Sequence, residues 1–148
     1  MAPQDLYGLP GAGGAGQIIT LKKGSGLGNY TTTSTTFVRV DTTNLVYAVV
    51  VPIGQKLQIA IAAALNNASG IWDLALADGT ADNTGIIVFN EGSINGAILP
   101  FSLLWVVVGD GALHTFNLQY RTTSGTLNLL NLSATNVPVM MFTLGVAS

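Results

Sequence analysis

The sequence predicts an all-β chain: a jelly roll or β-sandwich of about eight to ten antiparallel strands, with an extended N-terminal arm. Three observations predict it. Short apolar runs are separated by Gly, Asn, Asp and Pro turn signals about every 8 to 12 residues. The stretch GDGALHTFNLQYRTTSG (109–125) alternates with period two. His114, Phe116, Leu118 and Tyr120 fall on one side, and Thr115, Asn117, Gln119 and Arg121 on the other. That pattern marks a strand with one buried and one solvated face, whereas a helix would move Leu118 away from Phe116 and Tyr120. Finally, no stretch reads as an amphipathic helix, and no repeat with a period of about 20 to 50 residues is present.

The elements follow in order. Residues 1–34 read as a Gly- and Thr-rich arm and linker, and 35–148 as the jelly-roll domain. In the arm, Pro3, Pro10 and the run GAGGAG oppose both helix and central strand. Leu6, Tyr7 and Leu9 are apolar beads on that string, suited to ordering against a neighbouring surface. Gly11–Gly16 spells G-x-G-x-x-G, but no strand precedes it and no helix follows, so a dinucleotide site is not expected. Residues 17–22 form a short strand carrying Ile18 and Ile19, and 24–34 (GSGLGNYTTTS) a linker. Strands follow at 35–40, 44–51, 56–65, 71–78, 85–90, 98–108, 114–121, 126–132 and 137–146. In 56–65, Leu57, Ile59, Ile61, Ala63 and Leu65 face inward; in 71–78, Trp72, Leu74 and Leu76 do.

At 148 residues the chain is long enough for one full core. Only 8% of its residues are charged against 49% hydrophobic, where soluble domains carry roughly 25% charge. Such a surface is either covered by other chains or coated with Thr, Ser, Asn and Gly. Three strands, 44–51, 100–108 and 138–146, are apolar on both faces and need an outer cover. The expected cover is another copy of the chain, with Tyr47, Val49, Trp105, Val107, Met140 and Phe142 as subunit-interface candidates. Five Lys and Arg, thinly spread, form no basic stripe, so no nucleic-acid partner is expected. No apolar run is long enough to make a spanning helix, and no membrane partner is expected. The N-terminus lacks a basic segment followed by an apolar one, so the protein is expected to work where it is made or assembled.

Four patches, in order, resemble the viral and bacterial structural modules that share the trimeric jelly roll of the tumour-necrosis-factor and C1q-like type. They are the Thr- and Val-rich segment Thr32–Val40, LALADG (Leu74–Gly79), His114–Arg121 with the Ser124–Thr126 turn after it, and the closing strand Val139–Leu144. Together they span residues 32–146. The resemblance implies a homotrimer in a virion, assembled in the host cytoplasm. It would be a bacteriophage capsid decoration protein bound to the major capsid protein, or to another virion protein, that stabilises the shell. Leu6, Tyr7, Leu9, Ile18 and Ile19 are then the expected partner-binding residues. The alternative is a receptor- or glycan-binding head of a phage tail fibre, using Thr80–Thr84 and Gly92–Gly96.

No enzyme is expected, and no catalytic residue, metal ligand or cofactor is assigned. His114 is the only histidine and the chain has no cysteine, too few ligands for zinc. It is expected to be a structural rim residue bonded to a loop carbonyl. No G-x-S-x-G elbow supports a Ser-His-Asp triad. Asp78, Asp82 and Asn83 share one loop, but their spacing matches no calcium-loop pattern and Asp-Gly is a common turn pair. Asn29, Asn67 and Asn131 head formal glycosylation sequons, expected by chance in an Asn- and Thr-rich chain.

Overall fold

The computed structural model describes residues 17–25, 28–67, 69–93, 96–131 and 139–146, with 17–19 and 140–146 as backbone. It is all β among the described residues. The strands are β1 (Gln17–Lys23), β2 (Tyr30–Thr32), β3 (Val38–Arg39), β4 (Val46–Val50), β5 (Lys56–Asn67), β6 (Ile71–Asp78), β7 (Ile86–Ser93), β8 (Leu99–Val108), β9 (Leu113–Thr122), β10 (Leu127–Leu129) and β11 (Met140–Val146). Every described pairing is antiparallel.

Two sheets form. In the first, β5 is the spine. One edge bonds β8 along Lys56–Leu65; the other bonds β11 along Lys56–Ala62 and β10 along Leu65–Asn67. β1 and β2 extend that sheet beyond β11 and β10. In the second, β9 lies between β6 on one edge and the short β3 and β4 on the other, with β7 outside β6. The chain crosses between the sheets from β2 to β3, β4 to β5, β5 to β6, β7 to β8, β8 to β9 and β9 to β10, which is jelly-roll connectivity.

The inner faces make one core. Leu57, Ile59, Ile61, Ala63 and Leu65 of β5 and Trp72, Leu74 and Leu76 of β6 are buried in it, at the expected parity. Phe116, Leu118 and Tyr120 of β9 join them, with Leu127, Leu129 and Val139. Each large side chain buried this way contributes about 1.5–3 kcal/mol. Trp72 packs edge-on against Phe101 at 5.7 Å. Gly92 lies opposite Trp72, and a Cβ there would come within 2.3 Å of the indole ring.

Two local expectations are corrected. Residues 24–34 are not wholly a linker, because Tyr30–Thr32 forms β2 and pairs with β10. The outer face of β9 is not solvated at its centre either: Asn117 and Gln119 are 1% and 0% exposed. The loop after β6 folds over them. Asn117 donates to the Gly79 carbonyl, and Gln119 to those of Ala81 and Thr84 while accepting from the Asn83 amide. Buried amides are stable because loop backbone groups replace water as their partners.

Candidate interaction surface

Among the strands whose side chains are described, β8 is the most exposed long one. Its sequence, LPFSLLWVVV, has no charged residue. It pairs with β5 on one edge in ten consecutive register positions without a shift, and no described strand pairs its other edge. Phe101, Leu103, Trp105 and Val107 stand opposite Ala63, Ile61, Ile59 and Leu57, so they share the inner face. Ser102, Leu104, Val106 and Val108 share the outer face with Ala62, Ala60, Gln58 and Lys56. Leu104, Val106 and Val108 are 55%, 45% and 60% exposed, and Trp105, overhanging the core at the edge, is 38% exposed.

The apolar surface continues in two directions. Across the sheet, Ala62 and Ala64 are half-buried, and Leu21 of β1 is exposed. Phe142 sits in register with Ala60 and Leu21, and Met140 with Ala62. Beyond the strand end, Val50, Ile53 and Leu113 are exposed where the β4–β5 and β8–β9 turns meet. Those turns are tied by the Gly54 amide to the Gly109 carbonyl, Gly109 to Gln55 and Gly111 to Val51.

The residues singled out from the sequence fall in three groups. Leu6, Tyr7 and Leu9 lie outside the described residues. Ile18 and Ile19 are on β1 at a bulge between Ile18 and Thr20, and Met140 and Phe142 are on β11. Tyr47, Val49 and Val107 are half-buried and pack against the core, and Trp105 is exposed beside them. The sequence reading therefore chose the inner parity of β4 and β8 and passed over the more exposed Leu104, Val106 and Val108. On a strand apolar at every position, alternation gives no signal for which face is which.

His114 is held differently from the expected bond to a loop carbonyl. Its Nδ1 meets the Asp78 carboxylate at 2.7 Å and its Nε2 the Asp110 carboxylate at 3.0 Å, with the ring stacked on Phe116 at 5.4 Å. The Asp78 bond, helped by Asp110, raises the imidazole pKa above its ordinary value. Asp110 is lowered, first by the Ala112 amide and then by His114. Asp78 also accepts the Thr115 amide at 2.7 Å, tying the end of β6 to the start of β9. With a carboxylate on each ring nitrogen, neither nitrogen is open to take a proton from a hydroxyl.

The acids of the β6–β7 loop turn apart. Asp78 serves His114, while Asp82 accepts from both the Arg39 guanidinium and the Arg39 amide, which lower its pKa. No group of His, Cys, Asp and Glu fit to hold a metal occurs among the described residues. On the outer face of the second sheet, Arg121 meets the buried Asp73 carboxylate at 2.5 Å and lies 4.5 Å over the Phe37 ring. Tyr30 donates to Asp41. Burial alone would raise Asp41, but the bonds from Tyr30 and from Asn44 and Thr43 bring it down to about 2.

No family model matches the chain, and no curated protein does. Solved structures similar to it include the CBM22-1 xylan-binding domain of Paenibacillus barcinonensis Xyn10C, at TM-score 0.47 and 14% identity over 93% of this chain and 100% of that one. A chain of infectious bursal disease virus, Gt strain, has TM-score 0.43 and 9% identity over 90% of this chain and 39% of that one. The Bacillus thuringiensis delta-endotoxin Cry8Ea1 has TM-score 0.41 and 12% identity over 80% of this chain, which spans only 20% of the toxin. At these scores the likenesses carry no weight, and the fold and function of this chain rest on its own strands and side chains.

Proposed function

We propose that this chain is a structural subunit without catalytic activity, which works by packing against copies of itself and against a larger particle. The observation that carries the reading is the uncharged strand β8 with Leu104, Trp105, Val106 and Val108 exposed. Apolar surface gains about 25 cal/mol per Å² when another chain covers it, and a monomer that left it bare would aggregate. The 8% charge content supports the same conclusion for the molecule as a whole. In its finer form the reading is a homotrimeric decoration protein of a viral shell, held to the capsid through residues 1–16. This form rests on the sequence resemblance. The fibre-head alternative would use loop 80–84, but Asp82 and Asn83 there are already engaged by Arg39 and Gln119.

Self-association and attachment are tested separately. Light scattering on the purified protein is expected to give a mass of several chains; a monomer at tens of micromolar overturns the reading. Deleting residues 1–16 is expected to leave that mass per folded domain and abolish co-sedimentation with the particle. Undiminished co-sedimentation would remove the arm from the proposal.

A further inference from the structure

The sheet edges of this molecule are treated unequally. Exposed edges present unpaired backbone N–H and C=O groups, and proteins that must not pair there use short strands, bulges, charges or Pro. β1 has a bulge between Ile18 and Thr20 and carries Lys22 and Lys23. β2, β3 and β4 are 3, 2 and 5 residues long. β7 carries Glu91, and its pairing with β6 shifts register at Leu76/Ala77. β8 has none of these over its last eight residues: ten residues long, in unbroken register, uncharged, with Pro100 near its start.

We propose that β8 pairs edge to edge with β8 of a second copy, antiparallel about a two-fold axis at Trp105. This rests on the self-assembly reading and names its contact. The occupant must be a strand, because only a strand satisfies a row of free backbone groups. It must also be uncharged, because a charged strand would bury unpaired charge against Leu104 and Val106; β8 itself meets both demands. The register follows from Pro100. Lacking an N–H, it cannot donate to a ladder, so pairing falls on the residues after it. Keeping inner face to inner face requires that opposed residue numbers sum to an even value. Centring on Trp105 then opposes Leu104 to Val106, Leu103 to Val107, and Ser102 to Val108, and leaves Pro100 outside the ladder. The first sheet becomes continuous across both copies. Alone the contact makes a dimer; combined with a three-fold contact it makes six chains.

The chain has no cysteine, so single-cysteine variants report the register directly. Trp105→Cys is expected to cross-link between copies under mild oxidation, and Ser102→Cys and Val108→Cys at least tenfold less. Light scattering of the unmodified protein is expected to give two or six chains. Val106→Lys is expected to reduce two chains to one, or six to three, while the circular dichroism spectrum stays unchanged and the melting temperature loses its dependence on protein concentration at this contact. A three-chain mass indifferent to Val106→Lys overturns the two-fold, cross-linking strongest at Ser102→Cys overturns its centring on Trp105, and either leaves self-assembly standing. A monomer overturns both.

Discussion

At the scale of single residues, the clearest device is the histidine between two carboxylates. Asp78 and His114 are 36 positions apart in sequence and meet only because β6 and β9 are neighbours. His114 has its pKa raised in the folded chain. A raised folded value means the stabilisation is complete below the ordinary value of about 6.5 and is lost as pH rises through the folded one. The melting temperature is therefore expected to fall as pH rises above about 6.5. His114→Gln should flatten that slope; an unchanged slope would place the titration elsewhere. Gln119 is a second such residue. Its side chain holds loop 79–85 from both sides, and Gln119→Ala is expected to speed amide exchange in that loop while β6 and β9 stay protected.

Gly85 has φ +63°, and a Cβ there would lie 1.7 Å from the Asp78 carbonyl oxygen. Backbone on backbone cannot yield by a rotamer change. Gly85→Ala is expected to destabilise by about 2–4 kcal/mol, read as a lower denaturant midpoint with an unchanged slope.

At the scale of elements, legibility followed periodicity. β5, β6 and β9 each bury one parity, and alternation alone placed Ile59, Ile61, Leu74 and Leu118 inward. Phe116→Ala, removing a ring with 0% exposure, is expected to cost about 3–5 kcal/mol by chemical denaturation. β2 was illegible because Tyr30-Thr31-Thr32 is too short to show a period and stands among Gly and Thr; its partner Leu127–Leu129 makes it a strand. β8 was legible as a strand but not as an oriented one, since every position from Leu103 to Val108 is apolar. The burial of Asn117 and Gln119 could not be foreseen either, because the loop that covers them is distant in sequence.

At the scale of the whole molecule, the all-β architecture and the shortage of charge could be read from composition and turn spacing. What could not be read is where the bare surface lies. Much of it lies on β8 of the first sheet and at the Val50, Ile53 and Leu113 end, with Ile71 and Phe89 exposed on the second sheet. The ion pairs Arg39–Asp82 and Arg121–Asp73 belong to the second sheet and the loop over it, while Lys22, Lys23 and Lys56 stand on strands of the first. Raising ionic strength is expected to leave self-association intact or strengthen it, since screening weakens charge pairs and not apolar burial. Dissociation by salt in light scattering would contradict that.

The placement of β11 sets an order on biosynthesis. It lies between β1 and β5, so among the described strands the ladder partner of β1 is not complete until residues 140–146 have left the ribosome. At about 5–20 residues per second, a nascent chain waits several seconds for the β11 ladder that bonds β1 and the Lys56–Ala62 edge of β5, with β8 already made. During that interval the free edges can pair with other chains. Its yield should therefore fall when many copies are translated side by side, and recover when initiation is slowed.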